Sequence, residues 1–186
     1  MLDQLNWMAI DAGQNELSRI LELMGQMFRI GLSNGDSFIT VEKELEHITC
    51  YLEIQQLRWG EGLDYSIEAP ADVMELYIPK LTLQPFVENS IVHGFNTRLS
   101  GSVQIRISRE EQRLRILLLD DGIGLKQVAD NPKKRHTGGY GLRNVKERIA
   151  GYFGDSYGIA LTEREEGGTR AEILLPVLTE PPVKET

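Results

Sequence analysis

Between residues 15 and 59 the apolar side chains recur at heptad spacing, and at residue 60 that spacing stops. In NELSRILELMGQMFRIGL, Leu17, Leu21, Met24, Phe28 and Gly31 follow one another in steps of four and three. In VEKELEHITCYLEIQQLRW, Val41, Leu45, Ile48, Leu52, Gln55 and Trp59 do the same. Alternating steps of four and three keep an apolar seam on one side of a helix, and a seam needs a facing helix. The intervening SNGDS reads as a turn, and Thr40 stands where an N-cap belongs. Residues 1–61 are therefore expected to form a helical hairpin. The seams can serve two ends: packing on the domain downstream, or pairing with a second copy in a dimer. The dimer is the favoured reading, and His47, flanking Ile48, is expected to be partly covered.

After GEG the period changes. LDYSIEA looks like a strand, and Pro79 is expected to open a helix that continues through LQPFVENSIVHGF. SVQIRIS alternates as a half-buried strand, and LRILLLD is a more apolar one. Residues 125–138, LKQVADNPKKRHTG, lack apolar periodicity and read as a polar, basic loop. GLRNVKERIAGYF returns to helix with Leu142, Val145, Ile149 and Tyr152 on one face, and YGIALTERE and TRAEILLP close as two strands. The second domain, residues 62–178, is thus α+β with a mixed sheet, and 179–186 is a tail. Formal net charge is −8, which argues against nucleic acid as a partner. No apolar run approaches the roughly 20 residues that span a bilayer. The single cysteine, Cys50, fits a reducing compartment. His47 and Cys50 are three apart, but no third ligand stands nearby, so a metal site there is not expected.

Four short stretches carry chemistry. In VENSIVHGF, Leu83, Val87, Ser90, Ile91 and Gly94 share one side of a helix, while Asn89 and His93, four apart, share another. That helix can bury one face and still present an amide and an imidazole. In DDGIGL, Asp120 ends the most apolar strand with a carboxylate that needs donors, and a purine amine is a good one. Gly122 and Gly124 would let the backbone approach a flat ring, although Asp-Gly is also a common turn. GGYGLRNV places Gly139 and Gly141 just before a helix, where backbone N–H groups suit phosphate; glycines that merely enter a helix are the alternative. EGGTR alone reads as a hairpin turn.

Together, in this order, the four stretches resemble the GHKL nucleotide-binding fold and, within it, the LytS/YesM-type sensor histidine kinases. LQPFVENSIVHGF resembles the N-box of that family, and DDGIGL, GGYGLRNVKERI and GGTRAEILLP resemble its three glycine boxes. VEKELEHITCYLEIQQLRWGEGL resembles the helical segment of the subfamily. The resemblance implies an α/β sandwich binding ATP with Mg²⁺ behind a dimerisation hairpin. It implies that Asn89 is the Mg²⁺ ligand that reaches the phosphates, with His93 a phosphate neighbour or a merely structural imidazole. Asp120 would take the adenine amine, and Gly122 and Gly124 would lie against the base. Gly139, Gly141 and Leu142 would start the phosphate-facing helix, and Gly168 and Thr169 would close the adenine side. Lys133, Lys134 and Arg135, with His136, would form a cationic lid, or else a solvated loop.

Two departures bear on activity. The phosphate-accepting histidine of this family stands in a Pro-His-Phe motif, and none of His47, His93 and His136 has that context. MLDQLNWMA looks like the stretch just downstream of such a motif, so the acceptor is expected upstream of this sequence. The hydrolytic relatives carry a general-base Glu four residues before the Mg²⁺ Asn, where this chain has Pro85; Glu88, beside Asn89, is the remaining candidate for polarising the acceptor. The resemblance thus implies a two-component histidine kinase that passes phosphate to a response regulator receiver domain. It implies a homodimer built through the hairpin, and a cytoplasmic region joined to an inner or plasma membrane only through upstream parts. A GHKL-type ATPase or serine kinase, and a non-catalytic dimerisation scaffold, are the rival readings.

Overall fold

The computed structural model describes residues 1–95, 100–124 and 135–182. Three helices come first: α1 (Leu2–Asp11), α2 (Asn15–Leu32) and α3 (Val41–Trp59). Residues 1–61 thus hold one helix more than the expected hairpin. Thr40 caps α3 as its position suggests, its Oγ1 accepting the Lys43 N–H at 3.3 Å. The five-stranded sheet runs in the order β2 (Leu63–Glu68), β4 (Gly101–Glu110), β5 (Arg113–Asp120), β7 (Thr169–Pro176), β6 (Gly158–Glu163). β2 and β4 are parallel and the other neighbours antiparallel. Alternation decides which face is buried: Val103, Ile105 and Ile107 of β4, and Leu114, Ile116 and Leu118 of β5, enter the core. Helix α6 (Arg135–Phe153) lays Val145 and Ile149 on that face, with Leu142 packed at its margin, whereas Tyr152 stays exposed and meets Phe38 edge-on.

Two expectations are corrected. The seam of the second heptad helix does not face another helix of its kind. Val41, Leu45, Ile48 and Leu52 belong to the same core cluster as the sheet residues. The physical reason is that α3 is buried on two sides: the seam enters the sheet's core, while His47 and Cys50, which lie off that seam, are buried as well, His47 Nε2 standing 3.8 Å from where a Cβ on Gly31 of α2 would be. His47 is covered far more than expected, at 4 % exposure. The apolar surface left open instead lies on the first two helices, with Trp7 72 %, Met8 68 % and Phe28 54 % exposed.

Pro79, for its part, does not open a helix. It ends β3 (Tyr77–Pro79), which pairs antiparallel with β1 (Phe38–Thr40) just before α3. A proline lacks the ladder N–H and is tolerated at the end of a short ribbon. Helix α5 (Gln84–Asn89) begins later, with Pro85 in its first turn, and runs on into one π-turn, Ser90–Gly94. A four-residue helix, α4 (Ala71–Met74), precedes β3.

Candidate functional site

The strand β5 ends on Asp120, 7 % exposed. A buried carboxylate must be surrounded by donors, and three converge on it. Oδ1 accepts the Gly122 N–H at 2.9 Å and the Thr169 N–H at 3.1 Å. Oδ2 accepts the Ser90 hydroxyl at 2.8 Å. A carboxylate has about four acceptor positions, so Oδ2 retains capacity for one more donor. The main-chain carbonyl of Asp120 accepts Arg164 Nη1 at 2.7 Å. One carboxylate therefore ties the end of β5, the start of β7 and the helix α5 region to a single point.

The glycines make that convergence possible. A side chain at Gly168, where φ is +91°, would place its Cβ 2.0 Å from the Asp120 carbonyl oxygen. A Cβ at Gly122 would lie 2.6 Å from the Gly94 Cα, and the Ile123 N–H donates to the Gly94 carbonyl at 3.1 Å. At Gly124, with φ +75°, a Cβ would meet Glu163 Oε1 at 2.8 Å. The bare sides of Gly122 and Gly124 are thus turned to the protein's own backbone and side chains. Their absent side chains let three loops close over Asp120.

The π-turn continues α5 toward this point. Its extra residue is sealed by the Phe95 N–H bonding back to the Ser90 carbonyl at 3.1 Å, a local feature often found at functional sites. Phe95 is wholly buried, and a Cβ on Gly101 would strike its ring at 2.4 Å, so the turn is pinned to the first residue of β4. Asn89, half-buried, closes α5 on another side from the buried Phe86, Val87 and Ser90. Glu88 accepts from Gln84 at 2.6 Å and turns toward Tyr51 of α3, whose phenol is pushed up to about 12 by burial and by this carboxylate. It takes no part in the Asp120 cluster.

The glycines Gly139 and Gly141 were expected just before a helix. They lie inside it, because α6 starts at Arg135. Gly141 admits a neighbour: a Cβ there would stand 3.2 Å from Pro85 Cβ, so its absence lets α6 approach α5. Lys133 and Lys134, with most of the expected lid, lie outside the described residues, as do the side chains of His93, Arg135 and His136. Ser90 and Gly94 were legible only as small residues on an apolar helix face; Arg164 gave no sequence signal. An open groove of about 1360 Å³, lined by Arg29, Lys43, Tyr77 and Tyr152 among others, contains none of the Asp120 cluster.

Comparison with known proteins covers nearly the whole chain. Residues 1–63 match the family described as histidine kinase, and residues 78–179 match the histidine kinase-, DNA gyrase B-, and HSP90-like ATPase family. The sensor histidine kinase BtsS of Escherichia coli is 34% identical over 162 residues, which cover 87% of this chain and 28% of BtsS. The sensor histidine kinase YesM of Bacillus subtilis is 31% identical over 183 residues, 96% of this chain and 31% of YesM. The chain therefore spans about three tenths of the length of these relatives. Among solved structures, the histidine kinase domain of the blue-light activated histidine kinase from Erythrobacter litoralis superposes with a TM-score of 0.56 at 20% identity, over 95% of this chain and 82% of that one. The catalytic domain of histidine kinase ThkA gives 0.57 at 17% identity, over 77% and 97%. At those identities the structural likeness concerns the fold.

Proposed function

The chain belongs to the histidine kinase-, DNA gyrase B-, and HSP90-like ATPase family, and from that premise we propose that it is the ATP-binding and phosphotransfer part of a two-component sensor histidine kinase. The observation that carries the reading is Asp120, a buried carboxylate with three internal donors and one acceptor position left on Oδ2. The exocyclic amine of adenine is the donor that would complete it. Asn89 offers a carboxamide oxygen, the hard ligand type that Mg²⁺ takes alongside phosphate oxygens. Gly139, Gly141 and the basic residues Lys133, Lys134 and Arg135, with His93, are assigned to the phosphates.

When bound, Mg–ATP supplies the phosphoryl group, and its transfer depends on positioning and charge neutralisation. The chain's own contribution is to orient: Asp120 anchors the base end, and α5 and α6, packed through Gly141 and Pro85, set the phosphate end. His47 is a poor acceptor. It is 4 % exposed, and burial pushes its imidazole down. We assign the acceptor to a histidine outside residues 1–186, and the onward transfer to a response regulator receiver domain. A homodimer would form through the exposed apolar face of α1 and α2, which corrects the expected use of Leu45, Ile48 and Leu52. Among the described residues no helix is long and apolar enough to cross a membrane; membrane attachment of the longer protein and a cytoplasmic position for this part belong to the same reading.

Titration of the chain with ATP and ADP, with and without Mg²⁺, tests the proposal. Adenine nucleotides should bind, and Mg²⁺ should strengthen the triphosphate. Asn89→Ala should abolish that strengthening and spare metal-free ADP. Failure of ATP and ADP to bind would refute the reading.

A further inference from the structure

The segment from Lys80 to Leu83, between β3 and α5, is held from two sides. From α3 comes Glu44, whose side chain is wholly buried, at 0 % exposure. Its Oε2 accepts the Leu81 N–H at 2.8 Å, and its Oε1 accepts the Leu83 N–H at 2.7 Å. From α6 comes Arg148, whose Nη2 donates to the Leu81 carbonyl at 3.3 Å and reaches Thr82 Oγ1 at 3.5 Å. Leu81 has φ +56°, a left-handed conformation in a residue with a branched side chain. Such a backbone persists only where its surroundings over-determine it. Leu83 is the residue from which α5 springs: its carbonyl accepts the Phe86 and Val87 N–H groups at 3.1 and 3.2 Å.

We propose that Glu44 is a positioning residue for Asn89: from α3 its carboxylate fixes the strained turn that launches α5, and so sets where the Asn89 carboxamide stands. The inference rests on the assignment of Asn89 to Mg²⁺ and goes beyond it. Asn89 follows Leu83 by six residues, roughly 9 Å along a helix axis. A helix that short moves as one body, so a shift at Leu83 arrives undiminished at Asn89. Asp120 stands on β5 and takes two of its three donors, Gly122 and Thr169, from outside α5; Ser90, just beyond α5, supplies the third. Loss of the Glu44 clamp should therefore weaken the metal-phosphate end of the site and largely spare the base end. A carboxylate that served stability alone would affect both ends equally.

The test is calorimetry on the full chain at mildly alkaline pH, with Mg–ATP and with metal-free ADP. Glu44→Gln keeps the shape, but its NH₂ must face one of the two N–H groups. Mg–ATP affinity should fall about tenfold, the loss of one hydrogen bond to a charged group. ADP affinity should stay within about twofold. Glu44→Asp, which keeps the charge, should recover part of the Mg–ATP loss. Unchanged Mg–ATP affinity in Glu44→Gln, an equal loss for both ligands, or no recovery in Glu44→Asp would each overturn the proposal. Should Glu44→Gln fail to fold, amide exchange on the unmodified chain decides. Leu81 and Leu83 protected more by Mg–ATP than by ADP supports the clamp, and equal protection overturns it. Absence of any Mg²⁺ enhancement in the unmodified chain would instead strike the assignment of Asn89 itself.

Discussion

Asp120→Asn should separate binding from folding. The asparagine oxygen can replace Oδ1 and accept the Gly122 and Thr169 N–H groups as the carboxylate does, at 2.9 and 3.1 Å. Its NH₂ then takes the place of Oδ2 and faces Ser90. The Ser90 hydroxyl has one proton and two acceptors in reach, Asp120 Oδ2 at 2.8 Å and the Phe86 carbonyl at 3.1 Å. It can turn its proton to Phe86 and accept from the new amide. Every internal partner is satisfied, so unfolding free energy should change by less than about 1 kcal/mol, the scale of a single exchanged neutral hydrogen bond. The adenine amine, by contrast, would meet an NH₂ where it needs an acceptor. The loss is that of a charge-assisted hydrogen bond, about 1.5–3 kcal/mol, or roughly 10- to 150-fold in affinity. Calorimetric titration with ADP, beside urea unfolding of both proteins, reads the two quantities. Unchanged ADP affinity with unchanged stability would refute the role of Asp120; lost affinity with collapsed stability would refute the rearrangement described for Ser90.

Three further outcomes are expected from the geometry. Gly168→Ala should destabilise by about 2–3 kcal/mol more than Gly154→Ala, because both glycines have positive φ but only the former meets backbone, at 2.0 Å from the Asp120 carbonyl; equal urea midpoints would contradict this. Burial pushes the Glu44 carboxyl up to about 7, against the lowering pull of the Leu83 and Leu81 N–H groups and Arg148. The folded state keeps a proton that the unfolded chain releases near 4.5, so this contribution is present below that pH and is lost as pH rises through about 7. Relative to Glu44→Gln, stability should therefore fall between those limits by at most ~1.4 kcal/mol per pH unit; a rising difference would invert the reasoning. Trp7→Glu and Phe28→Glu, both on exposed positions, should yield monomers by sedimentation with nearly unchanged stability, and a monomeric unmodified chain at tens of micromolar would dismiss this face.

The periodicities in the sequence located most of the framework because they are local. The two heptad helices, the alternating β4 and β5 and the final hairpin all arise from side-chain spacing. The assignment of partners was not local. Nothing in VEKELEH distinguishes a Glu44 that is solvated from one wholly enclosed over the turn at Leu81, since the N–H groups that it binds come from 37 and 39 residues away. The start of α5 was misplaced because Pro79 is as compatible with the end of a ribbon as with the first turn of a helix. The bareness of Gly122 and Gly124 was visible, but what occupied the vacated space was not: Gly94 and Glu163 are brought there by other strands and turns.

The enclosure of α3 in the sheet's core redraws the map of what unfolds with what. A cut at Gly60–Gly62, where the period changes, would strip Val41, Leu45, Ile48 and Leu52 from that core. At about 1.5–3 kcal/mol for each buried aliphatic side chain, their removal rivals the whole net stability of a domain, roughly 5–15 kcal/mol. The smallest autonomous folding unit therefore starts ahead of Thr40, with the β1–β3 ribbon included. Helix α2 packs on the far side of α3, where Leu23, His47 and Cys50 are buried. Its exposed side-chain pairs with α3, Arg19–Glu53 at 2.6 Å and Gln26–Glu46 at 2.5 Å, contribute little beside that burial.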